Sequence, residues 1–195
     1  MKKKKIVIGV SGASGSIYAI RLLQVLKEIP EVEVHGTVSD WAYENIRLET
    51  NLKKVEVKAL FDVYYNARDM GASIASGSFL HDGMVVVPSS MKTVAAIAHG
   101  YSDNLIARSA DVCLKEGRKL LLVPRETPLS TLHLENLLKL SQMGVRIIPP
   151  MPAFYNHPET IEDIVNHTVM KIMDQLEIEN HLSRRWTEDA CNETV

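Results

Sequence analysis

A chain of 195 residues with 22 Lys and Arg against 24 Asp and Glu has a formal net charge of −2, which leaves no electrostatic footprint for nucleic acid. It is long enough and apolar enough for one ordinary core, and no stretch of it approaches the length of a membrane span. Its two cysteines, Cys113 and Cys191, have no metal or redox spacing, so a reduced, cytoplasmic setting is expected.

The lysines at positions 2–5 read as a solvated arm, and the apolar residues 6–10 stop too soon for a signal peptide. Residues 6–10 predict a buried strand. Ile17, Ala19, Ile20, Leu22, Leu23 and Leu26 then recur at helical spacing, ending before Pro30. Val32, Val34, Gly36 and Val38 predict a second strand, and residues 42–49 a short helix. A strand is expected within 60–65, and an irregular loop over 66–78. Residues 84–88 form an apolar strand, followed by helices at 91–98 and 104–116. The second of these carries Cys113 as a small core residue. A strand at 119–124 leads to a helix over 132–143, capped by Ser130 or Thr131 and stopped by Gly144. Residues 145–148 predict the last strand. A long helix then runs from Pro158 to about Leu176, with an apolar stripe of Ile161, Ile164, Val165, Val169, Ile172 and Leu176. The polar residues 177–195 read as a C-terminal arm on a single domain spanning 1–176.

Strands without polar alternation are covered on both faces, as parallel sheets require. Alternation of strand and helix then gives an α/β fold, a Rossmann-like doubly wound, mainly parallel sheet flanked by helices in a three-layer sandwich. Ligands in such folds bind beyond the carboxyl ends of the strands. The segments there are Ser11-Gly12-Ala13-Ser14-Gly15, Ser39-Asp40, Pro88-Ser89-Ser90-Met91-Lys92-Thr93, Pro124-Arg125-Glu126 and Pro149-Pro150-Met151-Pro152-Ala153-Phe154-Tyr155. The glycine turn exposes backbone N–H groups at a helix N-terminus, which favours a phosphate. It equally serves tight packing of strand on helix. It is neither a dinucleotide fingerprint nor a P-loop. Ser90 and Thr93 open a second helix with hydroxyls. Arg125 can fork onto phosphate oxygens, and Glu126 can pass a proton. The seven histidines show no metal-ligand spacing.

Together with Glu49-Thr50, Ala75-Ser76-Gly77-Ser78, Asn104-Leu105-Ile106-Ala107-Arg108, His133-Leu134-Glu135-Asn136 and Arg185-Trp186, these segments resemble the UbiX/Pad family of flavin prenyltransferases along nearly the whole chain. The resemblance implies an FMN-binding homo-oligomer, usually a dodecamer, with active sites at subunit interfaces. The implied reaction joins the dimethylallyl group of dimethylallyl phosphate to N5 and C6 of reduced FMN and releases phosphate without a metal. The product serves a UbiD-type decarboxylase. By resemblance, Gly12, Ala13, Ser14, Ser39, Ser90, Met91, Lys92, Thr93, Arg108 and Arg125 hold FMN. Lys115, Arg125, Tyr155 and Lys171 clamp the substrate phosphate, Glu126 protonates it, and Ser14 and Glu49 manage the proton at N5. Met70 stands where relatives often carry a tryptophan able to steady an allylic cation. The rival readings are a flavoprotein decarboxylase of aromatic acids or of cysteine-type substrates, and a flavin carrier without catalysis. The segment Pro-x-Met-Asn-x-x-Met-Trp typical of the cysteine-type enzymes is absent from the sequence.

Overall fold

The computed structural model describes residues 3–186. Six parallel strands are ordered β3-β2-β1-β4-β5-β6: β1 Lys4–Val10, β2 Val32–Val38, β3 Val63–Asn66, β4 Gly83–Ser89, β5 Leu120–Pro124 and β6 Arg146–Ile147. The order reverses between β1 and β4, the switch point at which such sheets bind ligands. Every residue of β4 and β5 is buried, which accounts for their unbroken apolar sequence. Pro88 has no N–H to give the ladder, and the pairing of β4 with β5 shifts register between Val86 and Ser89.

Among the described residues, seven α-helices cover the two faces: α1 Ser16–Lys27, α2 Asp40–Glu49, α3 Lys54–Lys58, α4 Met91–Ala98, α5 Leu105–Lys115, α6 Thr131–Gln142 and α7 Ile161–Gln175. On one face, Leu22, Leu23 and Leu26 of α1 and Val169, Ile172 and Met173 of α7 pack on Ile6, Ile8, Val85 and Leu121. On the other, Val94 and Ile97 of α4, Leu105 and Ala110 of α5 and Leu140 of α6 pack on Val7, Met84, Val86 and Leu122. Full burial of one such aliphatic side chain stabilises by about 1.5–3 kcal/mol. Cys113 lies in this second core, where burial pushes its thiol up to about 12.

The strands and most helices stand where the sequence puts them. The differences lie at edges. Residues 54–58 form a short helix, and the strand expected within 60–65 is Val63–Asn66. The long helix begins at Ile161 rather than Pro158, because Thr160 caps it: its Oγ1 accepts from the N–H of Asp163 at 3.1 Å, and Asp163 Oδ2 accepts from the N–H of Thr160 at 2.8 Å. Ile161 and Ile17, expected on buried faces, sit in first turns that overhang the core and are 74 % and 42 % exposed. Residues 177–186 fold back on the body. Ile178 is buried, and Arg185 forks onto Asp174 at 2.7 and 2.8 Å, holding that carboxyl below its ordinary range. Cys191 and the rest of the expected arm lie outside the described residues.

Candidate active site

Two adjoining clefts open beyond the carboxyl ends of β1, β2, β4 and β5, sharing Gly12 and Ser90. The outer one, of about 460 Å³, is where three helices begin. Ser39 Oγ caps α2 by accepting from the N–H of Ala42 at 3.1 Å. Ser90 Oγ caps α4 by accepting from the N–H of Thr93 at 3.3 Å, and Asn104 Oδ1 caps α5 by accepting from the N–H of Ala107 at 3.1 Å. All three capping residues line this cleft. Their helix dipoles therefore converge on one space, which favours an anion there. Each capping hydroxyl uses a lone pair and keeps its hydrogen. Ser90 and Thr93 hydroxyls lie 3.1 Å apart and share one hydrogen, leaving one to donate. Ser11 locks the shared wall: it accepts from the Ser90 N–H at 2.8 Å and donates to the Pro88 carbonyl at 3.0 Å.

The glycine turn plays another part. The N–H groups of Gly15 and Ser16, at the start of α1, donate to Glu49 Oε2 at 2.9 and 2.8 Å. The chain's own carboxylate thus sits on the helix terminus that the sequence offers to a phosphate. Gly15 takes a φ of 96°, a region glycine enters without strain. At Gly12 a Cβ would lie 2.7 Å from Trp41 Cβ, so only glycine lets α2 approach this closely.

The inner cleft, of about 290 Å³, is lined by Ala13, Ser14, Met91, Arg125 and Glu126. The Arg125 N–H donates to the Ser89 carbonyl at 3.2 Å, while its buried Nε has no hydrogen-bond partner among the described residues. An unpaired buried guanidinium nitrogen at a cleft wall is placed to receive an anion. Two exposed ion pairs lie at the outer rim, Arg68 with Asp40 at 2.7 Å and Lys92 with Asp103 at 3.8 Å.

Besides Glu49, whose carboxylate sits on the α1 turn, four expected residues stand apart from these clefts. Arg108 donates to the Ala75 carbonyl at 3.2 Å and pairs with Asp111 at 2.7 Å. Lys115 ends α5 about 16 Å along the helix from Asn104, paired with Glu116 beside Gly77. Tyr155, in the loop before α7, packs against that helix, which carries Lys171. The Tyr155 hydroxyl meets His167 Nε2 at 3.2 Å, its ring packs edge-on to Trp186, and Lys171 lies one turn beyond His167. Burial, and then the Lys171 charge, pull His167 below its ordinary pKa. From sequence, Tyr155 is expected in one cleft with Ser14 and Arg125. Within one chain, Ser14 and Arg125 share a cleft and Tyr155 is not among its lining residues.

The family described as Flavoprotein matches residues 1–173. The chain is 60 % identical over 186 residues to the flavin prenyltransferase LpdB of Lactiplantibacillus plantarum, covering 95 % of this chain and 100 % of that one. It is 46 % identical to the flavin prenyltransferase UbiX of Escherichia coli K12, over 94 % of this chain and 98 % of the other. The chain belongs to the flavin prenyltransferases of the flavoprotein family. Among solved structures, the dodecameric FMN-dependent UbiX-like decarboxylase of Escherichia coli O157:H7 superposes with a TM-score of 0.92 at 55 % identity, covering 94 % of this chain and 99 % of that one. AnUbiX (PadA1), solved in complex with FMN and dimethylallyl pyrophosphate, gives 0.93 at 44 % identity, covering 95 % and 98 %. The peptidyl-cysteine decarboxylase EpiD, at 20 % identity and a TM-score of 0.59, shares the fold alone.

The residues present fit the flavin that this prenyltransferase family requires. Converging helix N-termini suit a terminal phosphate, and the adjoining cleft with its unpaired arginine suits a polar ring system. Met70 lies in the loop after β3 and is 44 % exposed, whereas the aromatic that lines the outer cleft is Trp41. Ser11, Trp41, Asn45 and Asn104 also line the clefts, beyond the residues expected from sequence. Asn104 carries the signal of a cap directly before an apolar helix. Trp41 and Asn45 share the four-residue spacing that continues to Glu49.

Proposed function

We propose that this prenyltransferase moves a dimethylallyl group from dimethylallyl phosphate onto reduced FMN, and that a UbiD-type decarboxylase uses the product. The observation that carries the reading is the junction of the two clefts: an anion cradle of three helix N-termini beside a wall bearing Arg125 and Glu126. When bound, reduced FMN supplies the nucleophilic nitrogen and carbon that receive the prenyl carbon.

The chain's residues supply the rest. Ser39, Ser90 and Thr93, aided by Gly12, Met91 and Lys92, hold the flavin phosphate and its linker. Ala13 leaves room for the ring. Arg125 binds the substrate phosphate and neutralises the charge that grows on it as the carbon–oxygen bond breaks, a role for fixed cationic donors. Glu126 gives that phosphate a proton. Ser14, beside the turn held by Glu49, takes a proton from the flavin nitrogen and passes it to the Glu49 carboxylate. Lys115, Tyr155, Lys171 and Arg108 complete the cleft of a neighbouring copy in a dodecameric assembly, which accounts for their separation from Arg125 within one chain. Lys171 supplies charge there without the fork an arginine would bring.

Anaerobic incubation with reduced FMN and dimethylallyl phosphate should yield a flavin heavier by one C5H8 unit. No mass change with either the monophosphate or the diphosphate would overturn the reading. Release of carbon dioxide from a cinnamic acid by this chain alone, with no change in flavin mass, would favour the decarboxylase instead.

A further inference from the structure

Asn45 sits on α2, four residues from Trp41 and four from Glu49, a spacing that puts all three on one face of the helix. Both neighbours on that face are fixed to the glycine turn: Trp41 lies over Gly12, and Glu49 accepts from the N–H groups of Gly15 and Ser16. Asn45, between them, is half-buried and lines the inner cleft with Ser14, Arg125 and Glu126. Among the described residues its carboxamide makes no hydrogen bond, although the other side-chain amide that lines these clefts, Asn104, is used as a cap. It therefore presents two donors and an acceptor, uncharged, to a space bounded by a guanidinium and a carboxylate.

We infer that Asn45 is a flavin-binding residue that pairs with the imide edge of the ring. That edge alternates carbonyl acceptors with one N–H donor. A carboxamide meets it with two antiparallel hydrogen bonds, its oxygen accepting from the ring N–H and its nitrogen donating to the adjacent carbonyl. A single hydroxyl satisfies one of the two, and a methyl group neither. This assignment rests on the flavin reading above.

The test compares FMN with its 3-methyl derivative, in which the ring N–H is replaced, by equilibrium dialysis against the wild-type chain, Asn45→Ala and Asn45→Thr. The wild type should bind FMN about tenfold more tightly than 3-methyl-FMN, the discrimination expected of one well-placed hydrogen bond. Asn45→Ala should bind FMN about tenfold more weakly and no longer discriminate, with Asn45→Thr between them. Circular dichroism of each variant confirms the fold. Wild-type failure to bind FMN at all would overturn the functional reading and this inference with it. Tight FMN binding with unchanged discrimination in Asn45→Ala would overturn the inference alone.

Discussion

Helix α1 begins at a glycine turn, and helices α2 and α4 begin at serines. In sequence the first looks like the anion site, because three glycines lay its backbone bare. In the structure it is the closed one: Glu49 already sits on its N–H groups at 2.8 and 2.9 Å. The serine-capped helices look ordinary, yet they keep hydroxyl hydrogens free and share the 460 Å³ cleft with the N-terminus of α5. On the function proposed here, the open termini are the ones that take the anion and the closed one places an acid. Glycine at α1 serves close approach, and donors are left over where serines cap.

The sharpest way to break that contrast is at Arg125, which lines the inner cleft and whose Nε has no partner among the described residues. Arg125→Ala should lower kcat by about 100-fold or more in a flavin mass assay, the scale for losing a preorganised donor to developing charge. Glu126→Gln should keep FMN bound and lose turnover. Next comes Gly12→Ala. Its new Cβ would stand 2.7 Å from Trp41 Cβ, so α2 must move off the turn. FMN affinity should fall about tenfold with the fold retained, because overpacking of this kind costs about 1–3 kcal/mol.

A finer probe separates the two kinds of terminus. Glu49→Ala removes the acceptor from α1 and should lower unfolding free energy by about 1 kcal/mol in urea titration, while FMN affinity stays within about twofold. A large loss of FMN affinity would mean that the α1 terminus takes part in holding phosphate after all. The smallest effect is expected on α7. His167 is held neutral in the fold by burial and by Lys171, below its ordinary pKa of 6.5. As pH falls below 6.5, the unfolded chain takes up the proton first, so stability drops until the folded form is protonated as well. The change in urea midpoint between about pH 7.5 and 5.5 should be smaller in His167→Gln than in the wild type.

Much of this was legible in the sequence because it depends on local pattern. Unbroken apolar runs such as residues 84–87 specify buried parallel strands, and the segments after them necessarily meet at one end of the sheet. Ser14, Ser39, Ser90 and Arg125 therefore come together as expected. What the sequence did not carry was the long-range partner. Nothing around Gly15 says that Glu49, 34 residues away, will occupy its N–H groups. Trp41 and Asn45 were hidden among ordinary helix residues, since their significance lies in which side of α2 meets the turn. Family motifs group Tyr155 and Lys171 with that cleft, and such motifs record that residues act together but not whether one chain supplies them all.

The contrast between the two termini is tested most directly by affinity for FMN against riboflavin, which lacks only the phosphate. The wild-type chain should prefer FMN by about 100-fold or more, as expected for charge-assisted hydrogen bonds at helix termini. The Ser39→Ala, Ser90→Ala double variant should lose most of that preference while binding riboflavin as before. An undiminished preference in the double variant would contradict the account and return the phosphate to the glycine turn.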